Sequence, residues 1–253
     1  MDPNDPRVRL ERDGNVAVVI LDDPARRNAL SLEVTVQLGQ AVEEAAADPS
    51  VGALVVTATP PAFCAGGSVD DLLDPRAPLR DMYAGVLALS RLTLPSVAAV
   101  NGPVIGAGVN VPLACDVILA SPKARFDPRF MDLGIHPGGG HLWRMERLVG
   151  RQAAAALVIF GESLTGEEAA RVGLAWRCVP DDELLDTAIA LARRAADRPR
   201  ELVGRAKSVL DASLSFESWE EAFEVEYTHQ DWSMDQPAFK AKLAELRAKL
   251  QKD

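Results

Sequence analysis

The chain has 253 residues, 48% hydrophobic and 25% charged, which is enough apolar side chain for one large domain or two small ones and excludes wholesale disorder. A formal charge of −10 with no local basic patch argues against a nucleic-acid surface. Cys64, Cys115 and Cys178 stand too far apart in sequence for a zinc knuckle or a disulfide framework, and no uncharged apolar stretch approaches 18 residues; with the polar, proline-interrupted start MDPNDPRVRLERDG, this predicts a cytoplasmic protein with no metal, secretory signal or membrane span.

Arg7 to Leu21 predicts two short strands turning at Asp13-Gly14, and the apolar run Val16 to Leu21 suits a strand buried on both faces. Ser31 to Asp48 reads as a helix. Val34, Leu38, Val42 and Ala45 recur on one face, Ser31 is a candidate cap and Pro49 closes the segment. Val51 to Thr57 and Ser96 to Val100 are apolar strands, separated by a Gly-rich loop over 64–68 and a helix around Asp81 to Leu92. That order is the βαβ unit of a layered α/β domain. Val117 to Ser121 reads as the last clear strand. Helical patterns follow over Arg151 to Phe160, Gly166 to Val172, Asp182 to Ala196, Pro199 to Ser213, Ser218 to Gln230 and Pro237 to Leu250. The expected organisation is an α/β core over residues 1–195 and a helical region over 196–253. In the last helix Phe239, Leu243 and Leu246 share a face that must dock on the chain's own core or on a neighbouring subunit.

Two glycine-rich loops are the candidate chemical elements. Gly66-Gly67 follows an apolar strand and lets backbone N–H groups turn outward at the strand end, where α/β sheets place ligands. Gly106-Ala107-Gly108 opens a helix whose first N–H groups have no intrahelical partner. Two such donors converging on one oxygen form an oxyanion hole.

Five segments in one order carry a resemblance: Pro24-Ala25-Arg26-Arg27-Asn28-Ala29-Leu30, Phe63-Cys64-Ala65-Gly66-Gly67, Pro95 to Val117 (PSVAAVNGPVIGAGVNVPLACDV), Gly134 to Arg144, and Leu164 to Pro180. Together they resemble the crotonase superfamily, the enoyl-CoA hydratase/isomerase-like proteins, over roughly residues 10–250. The resemblance implies a crotonase-like α/β spiral of ββα units whose helical C-terminal region serves trimerisation and caps CoA. It also implies assembly as a homotrimer or a dimer of trimers. The substrate implied is an acyl-CoA thioester, with coenzyme A part of the substrate and no separate cofactor. By position, the N–H groups of Gly67 and Ala107 would polarise the thioester carbonyl. Asn28, Ala29, Ala65 and Gly67 would lie along the adenine, Arg27 and Lys242 would meet the phosphates, and Gly138 and Phe239 would line the substrate site.

The chain departs from the family where hydratases carry two glutamates. Asn110 stands at the first place. Phe130 stands at the second, or Arg129 if the alignment slips by one residue. Neither an amide nor a phenyl ring accepts a proton at neutral pH, so efficient hydration is not expected. His136 and His141 flank the Gly138-Gly139-Gly140 turn that the family places beside the reacting carbons, and His136 is the first-ranked substitute base. Asp132 is expected to face away, Asp70 and Asp71 to begin a helix, and Cys64 to be a small buried thiol. The expected function is acyl-CoA binding with lyase, isomerase or hydrolase chemistry; the alternative is a binding protein that has lost catalysis.

Overall fold

Val16–Leu21 (strand β2) is buried along its whole length in the computed structural model, which describes residues 6–251. The first five residues of the polar opening segment therefore lie outside the described residues. Successive strand residues point to opposite faces, so Ala17, Val19 and Leu21 enter one core while Val16, Val18 and Ile20 enter a second. Val8–Asp13 (β1) pairs antiparallel with β2. Ala53–Ala58 (β3), Ser96–Val100 (β4), Val117–Ala120 (β6) and Arg177–Cys178 (β9) continue the sheet in parallel, in the order β1-β2-β3-β4-β6-β9. A second sheet of Pro103–Ile105 (β5), Arg125–Asp127 (β7) and Leu164–Thr165 (β8) carries the order β5-β7-β8.

Val117 to Ser121 is thus not the last strand. The strands that sequence periodicity does not reveal are two or three residues long, too short for an alternation to register. Their pairing is supplied by neighbours in the sheet.

Leu32–Ala47 (α1) begins where Ser31 accepts the Val34 N–H, and its apolar face enters the first core with Ala84–Arg91 (α3). A Cβ at Gly85 would fall 2.7 Å from the Leu38 side chain, so the two helices touch through a glycine. Between them lies the short helix Val69–Leu73 (α2), capped by Ser68, with Asp70 and Asp71 in its first turn. The buried Asp71 carboxylate accepts the Leu32 N–H at 3.0 Å and pairs with Arg76. That contact ties the start of α1 to the segment that follows the first glycine loop.

A 3-10 turn over Gly106–Val109 leads into Asn110–Leu113 (α4). The next helix, His141–Val158 (α5), starts ten residues before the expected Arg151. Its exposed Leu142, Trp143 and Leu148 obscure the buried face marked by His141 and Met145, and Gly150 interrupts it at φ 75°, ψ 165°. Gly166–Val172 (α6) carries a capping box at Thr165 and Glu168. Leu184–Ala196 (α7) covers the second core with Leu184, Ala188, Ile189 and Ala192.

The chain divides into two compact units between Ala196 and Asp197. The second contains Arg200–Ala212 (α8), Trp219–Met234 (α9) and Pro237–Leu250 (α10). Within it the Arg205 guanidinium lies 3.9 Å over the Trp232 ring. Phe239, Leu243 and Leu246 are 40%, 53% and 53% exposed, so the second unit by itself leaves the apolar face of α10 largely uncovered. No described helix is long and apolar enough to cross a membrane.

Candidate active site

The 64–68 loop lies between two other segments that hold it by strand-like hydrogen bonds. On one side the Leu30 N–H donates to the Gly66 carbonyl (2.7 Å), the Ser68 N–H to the Leu30 carbonyl (3.0 Å) and the Ala65 N–H to the Arg27 carbonyl (3.0 Å). On the other side the Ile105 N–H donates to the Cys64 carbonyl at 2.9 Å. The loop that ends in Gly67 and the turn that begins at Gly106 are therefore neighbours. A Cβ at Gly66 (φ +97°) would lie 2.9 Å from the Ile105 carbonyl oxygen and 3.8 Å from the Ala107 nitrogen. At Gly108 it would meet the Cys64 carbonyl oxygen and Sγ at 2.8 Å. Glycine is required at both by close approach. Among the described residues neither the Gly67 N–H nor the Ala107 N–H donates to any carbonyl or side chain.

One turn beyond Ala107, Asn110 is fully buried, and its N–H donates to the Ala107 carbonyl. Its side-chain Nδ2 donates to the Gly138 carbonyl at 3.1 Å, and its Oδ1 lies 3.0 Å from Nδ1 of His141. An amide nitrogen can only donate to the Gly138 carbonyl, which turns the amide oxygen towards the imidazole and fixes the imidazole proton on Nδ1. The second ring nitrogen, Nε2, then carries the lone pair; it is buried and has no hydrogen-bond partner. The Phe130 ring meets the imidazole edge-on at 5.0 Å between centroids. Asn110 and Phe130, the positions where the resemblance would place glutamates, thus both contact His141. Tyr83 packs its ring on the turn: a Cβ at Gly139 would fall 2.6 Å from that ring and 2.8 Å from the Asn110 amide nitrogen. Arg144 donates to the Gly139 carbonyl and to the Ser90 hydroxyl, both at 2.6 Å.

The two histidines stand in different surroundings. His136 is exposed, with Nδ1 turned to its neighbour's Pro137 carbonyl at 2.7 Å, whereas His141 is 1% exposed and joins Asn110 and Phe130. A histidine directly after three glycines at a helix start was the available clue, but its burial comes from Asn110 and Phe130, which are distant in sequence. Asp132 is exposed. Cys64 is buried, and burial pushes its thiol up to about 12, which leaves no nucleophilic thiolate near neutrality.

Asn28 has a different occupation from a ligand contact. Its side chain accepts the Asp23 N–H at 2.8 Å and donates to the carbonyls of Thr59 and Ala62 at 2.8 and 2.7 Å. Its N–H and those of Ala29 and Ala65 are donated to Asp23, Arg26 and Arg27, so the backbone carbonyls of Asn28 and Ala65 remain for a ligand. Arg27 is exposed at φ +53° and makes no ion pair among the described residues. Phe239 and Lys242 belong to the second unit, where Lys242 pairs with Glu245 at 2.8 Å. Among the described residues no group of three or more His, Cys, Asp or Glu side chains is placed to hold a metal ion.

Burial, and then the Arg144 charge, push His141 down to about 4 from the ordinary 6.5. The unfolded chain therefore binds more protons than the folded one between those values. Stability contributed by the neutral imidazole is complete above about pH 6.5 and is lost as pH falls towards about 4, on the order of 3 kcal/mol in all. Glu33, which Arg76 holds down at about 2, loses its share only below its ordinary 4.5. Urea unfolding at about pH 7 and about pH 5 should show wild type losing more stability than His141→Phe. Equal losses would contradict the buried neutral imidazole.

The sequence profile of a family described as enoyl-CoA hydratase/isomerase matches residues 11–250. The Mycobacterium tuberculosis protein named probable enoyl-CoA hydratase EchA14 is 43% identical over 247 residues, covering 94% of this chain and 96% of its own length. The 1,2-epoxyphenylacetyl-CoA isomerase of Escherichia coli is 32% identical over 207 residues, covering 78% and 79%. Among solved structures, an enoyl-CoA hydratase subunit I from Geobacillus kaustophilus matches with a TM-score of 0.89 at 27% identity, over 96% of both chains.

Proposed function

This chain belongs to the enoyl-CoA hydratase/isomerase family and has the crotonase fold, and on that premise we propose that it binds an acyl-CoA thioester with the carbonyl oxygen between the N–H groups of Gly67 and Ala107. The observation that carries this reading is the pair of partnerless N–H donors on adjoining loops. Such donors stabilise negative charge that develops on the oxygen when a proton leaves the neighbouring carbon, and removing one costs about 10²- to 10³-fold in rate. The chemistry is of the isomerase or lyase kind, in acyl-CoA metabolism, because no carboxylate stands at Asn110 or Phe130 to activate water. A second reading, a binding protein without catalysis, draws on the burial of Asn110, His141 and Phe130, at 0%, 1% and 6% exposed.

Assembly as a homotrimer or a dimer of trimers is part of the same proposal and rests on the exposed apolar face of α10. Titration calorimetry with acetyl-, butyryl- and octanoyl-CoA should give saturable binding by an oligomer in light scattering. Difference infrared spectroscopy of the bound thioester should show its carbonyl band at lower frequency than in solution. No binding at millimolar concentration sinks the proposal, an unshifted band removes the two donors from it, and a 27.1 kDa particle removes the assembly.

A further inference from the structure

We propose that Arg76 is a positioning residue for the Gly67 donor: it clasps α2 to the first turn of α1 and through them fixes the peptide unit whose N–H meets the thioester oxygen. The inference rests on the binding mode proposed above and adds to it a residue outside the site. A trans peptide is planar, with its N–H and C=O pointing opposite ways, so whatever holds the Gly66 carbonyl also aims the Gly67 N–H. The Gly66 carbonyl accepts the Leu30 N–H at 2.7 Å, and the Ser68 N–H returns to the Leu30 carbonyl at 3.0 Å. The donor is therefore slung between the entry to α1 and Ser68, the cap of α2.

The apolar face of α1 is anchored in the first core, but α2 has no such anchor. It is five residues long, Asp71 alone of them is buried, and Val69, Leu72 and Leu73 are exposed. A helix of that length is unstable by itself in water, so polar contacts must hold it. Oδ2 of Asp71 accepts the Leu32 N–H at 3.0 Å, a donor that the start of α1 leaves without an intrahelical partner. Oδ1 accepts Nε and Nη2 of Arg76 at 2.9 and 2.7 Å. From the other edge of the same guanidinium, Nη1 and Nη2 donate to the two Glu33 oxygens in the first turn of α1, at 2.5 and 3.0 Å. A planar guanidinium can fork to two carboxylates at once; an ammonium has no such fork. Without Arg76 the Asp71 carboxylate is a buried charge short of its counter-ion, a state relieved by moving α2 out towards water. Ser68 then moves with α2, and so does Leu72, which packs 3.5 Å from where a Gly67 Cβ would stand.

Difference infrared spectroscopy of bound butyryl-CoA reads the aim of the donor, with calorimetric binding and urea unfolding measured beside it. Arg76→Met should bind the thioester within about tenfold of wild type, lose about half or more of the carbonyl shift and cut any turnover about tenfold or more, since about 1 Å of misplacement can cost about 10²-fold. Arg76→Lys keeps the charge without the fork and should fall between Arg76→Met and wild type. The control is Arg193→Met, which breaks another partly exposed ion pair, from Arg193 on α7 to Asp13 on β1 at 2.5 Å, and should leave the band where it stands in wild type. A full shift in Arg76→Met or Arg76→Lys, or equal losses in Arg76→Met and Arg193→Met, overturns the proposal while acyl-CoA binding and the two donors stand. If Arg76→Met does not fold, Arg76→Lys decides by the same comparison. An unshifted band in wild type overturns the donors and the proposal together, and absence of binding overturns the whole reading.

Discussion

Crotonyl-CoA is expected to bind the wild-type protein and to be hydrated at least about 10²-fold more slowly than by a relative with both glutamates. The Asn110 amide is fixed in orientation by the Gly138 carbonyl at Nδ2 and by His141 at Oδ1, and an amide cannot take a proton from a water. Phe130 offers a ring edge to the same imidazole. Asn110→Glu alone should recover little, because a carboxylate cannot donate to the Gly138 carbonyl and instead faces it with like polarity. Phe130→Glu alone should also recover little. The position is 6% exposed, and desolvation raises the pKa of a carboxyl placed there. The double variant, shown to be folded and to bind the thioester, should recover more than both single variants together, since groups acting as a unit are not additive. Brisk hydration by wild type would overturn the assignment of Asn110 and Phe130 to the glutamate positions.

Gly66→Ala is expected to abolish the infrared shift of the bound carbonyl and to cut any turnover by about 10²- to 10³-fold, the cost of losing one oxyanion donor. Gly106→Ala supplies the comparison. Both place alanine at positive φ, +97° and +50°, but only at Gly66 does the new Cβ meet a neighbour, the Ile105 carbonyl oxygen at 2.9 Å. Backbone carbonyls of a paired strand do not yield cheaply, so the Gly66 loop must shift, and the Gly67 N–H moves with it. At Gly106 nothing lies within 4 Å, and the cost is the roughly 1–2 kcal/mol of left-handed backbone for a residue with a Cβ. Gly106→Ala should therefore lose stability in urea while keeping most of the carbonyl shift. If Gly66→Ala keeps the full shift, or if the two variants lose it equally, the close approach of the two loops does not set the donor geometry.

The parts of the molecule legible from the sequence are those whose cause is local. Val16 to Leu21 reads as a doubly buried strand because no polar residue interrupts it, and β2 does divide its side chains between two cores. Ser31 reads as a helix cap because a side-chain oxygen three residues before a free N–H is a local pairing, and it is found at 3.2 Å from the Val34 nitrogen. The order of strands, glycine loops and helices, with the five matching segments, was enough for the family. Strands β5, β7, β8 and β9 were not legible, because a two- or three-residue strand exists only through the partner that pairs with it. The 141–149 part of α5 was hidden by apolar residues on its exposed side.

The site divides along the same line. Glycines at the loop tips declare themselves, since a backbone that must turn or touch another backbone needs them. The role of a side chain does not, because it depends on what packs against it. Asn28 stands in a segment that resembles a ligand contact, yet its amide is spent on Asp23, Thr59 and Ala62, the last of them 34 residues away. His136 and His141 are indistinguishable as residue types on either side of one glycine turn. Sequence put a histidine on either side of one glycine turn. Only the tertiary structure decided which of them is buried, by bringing Asn110 from 31 residues away to take the Nδ1–H and Phe130 to wall off the ring, because burial and hydrogen-bond partners are properties of the packed neighbourhood and not of the segment.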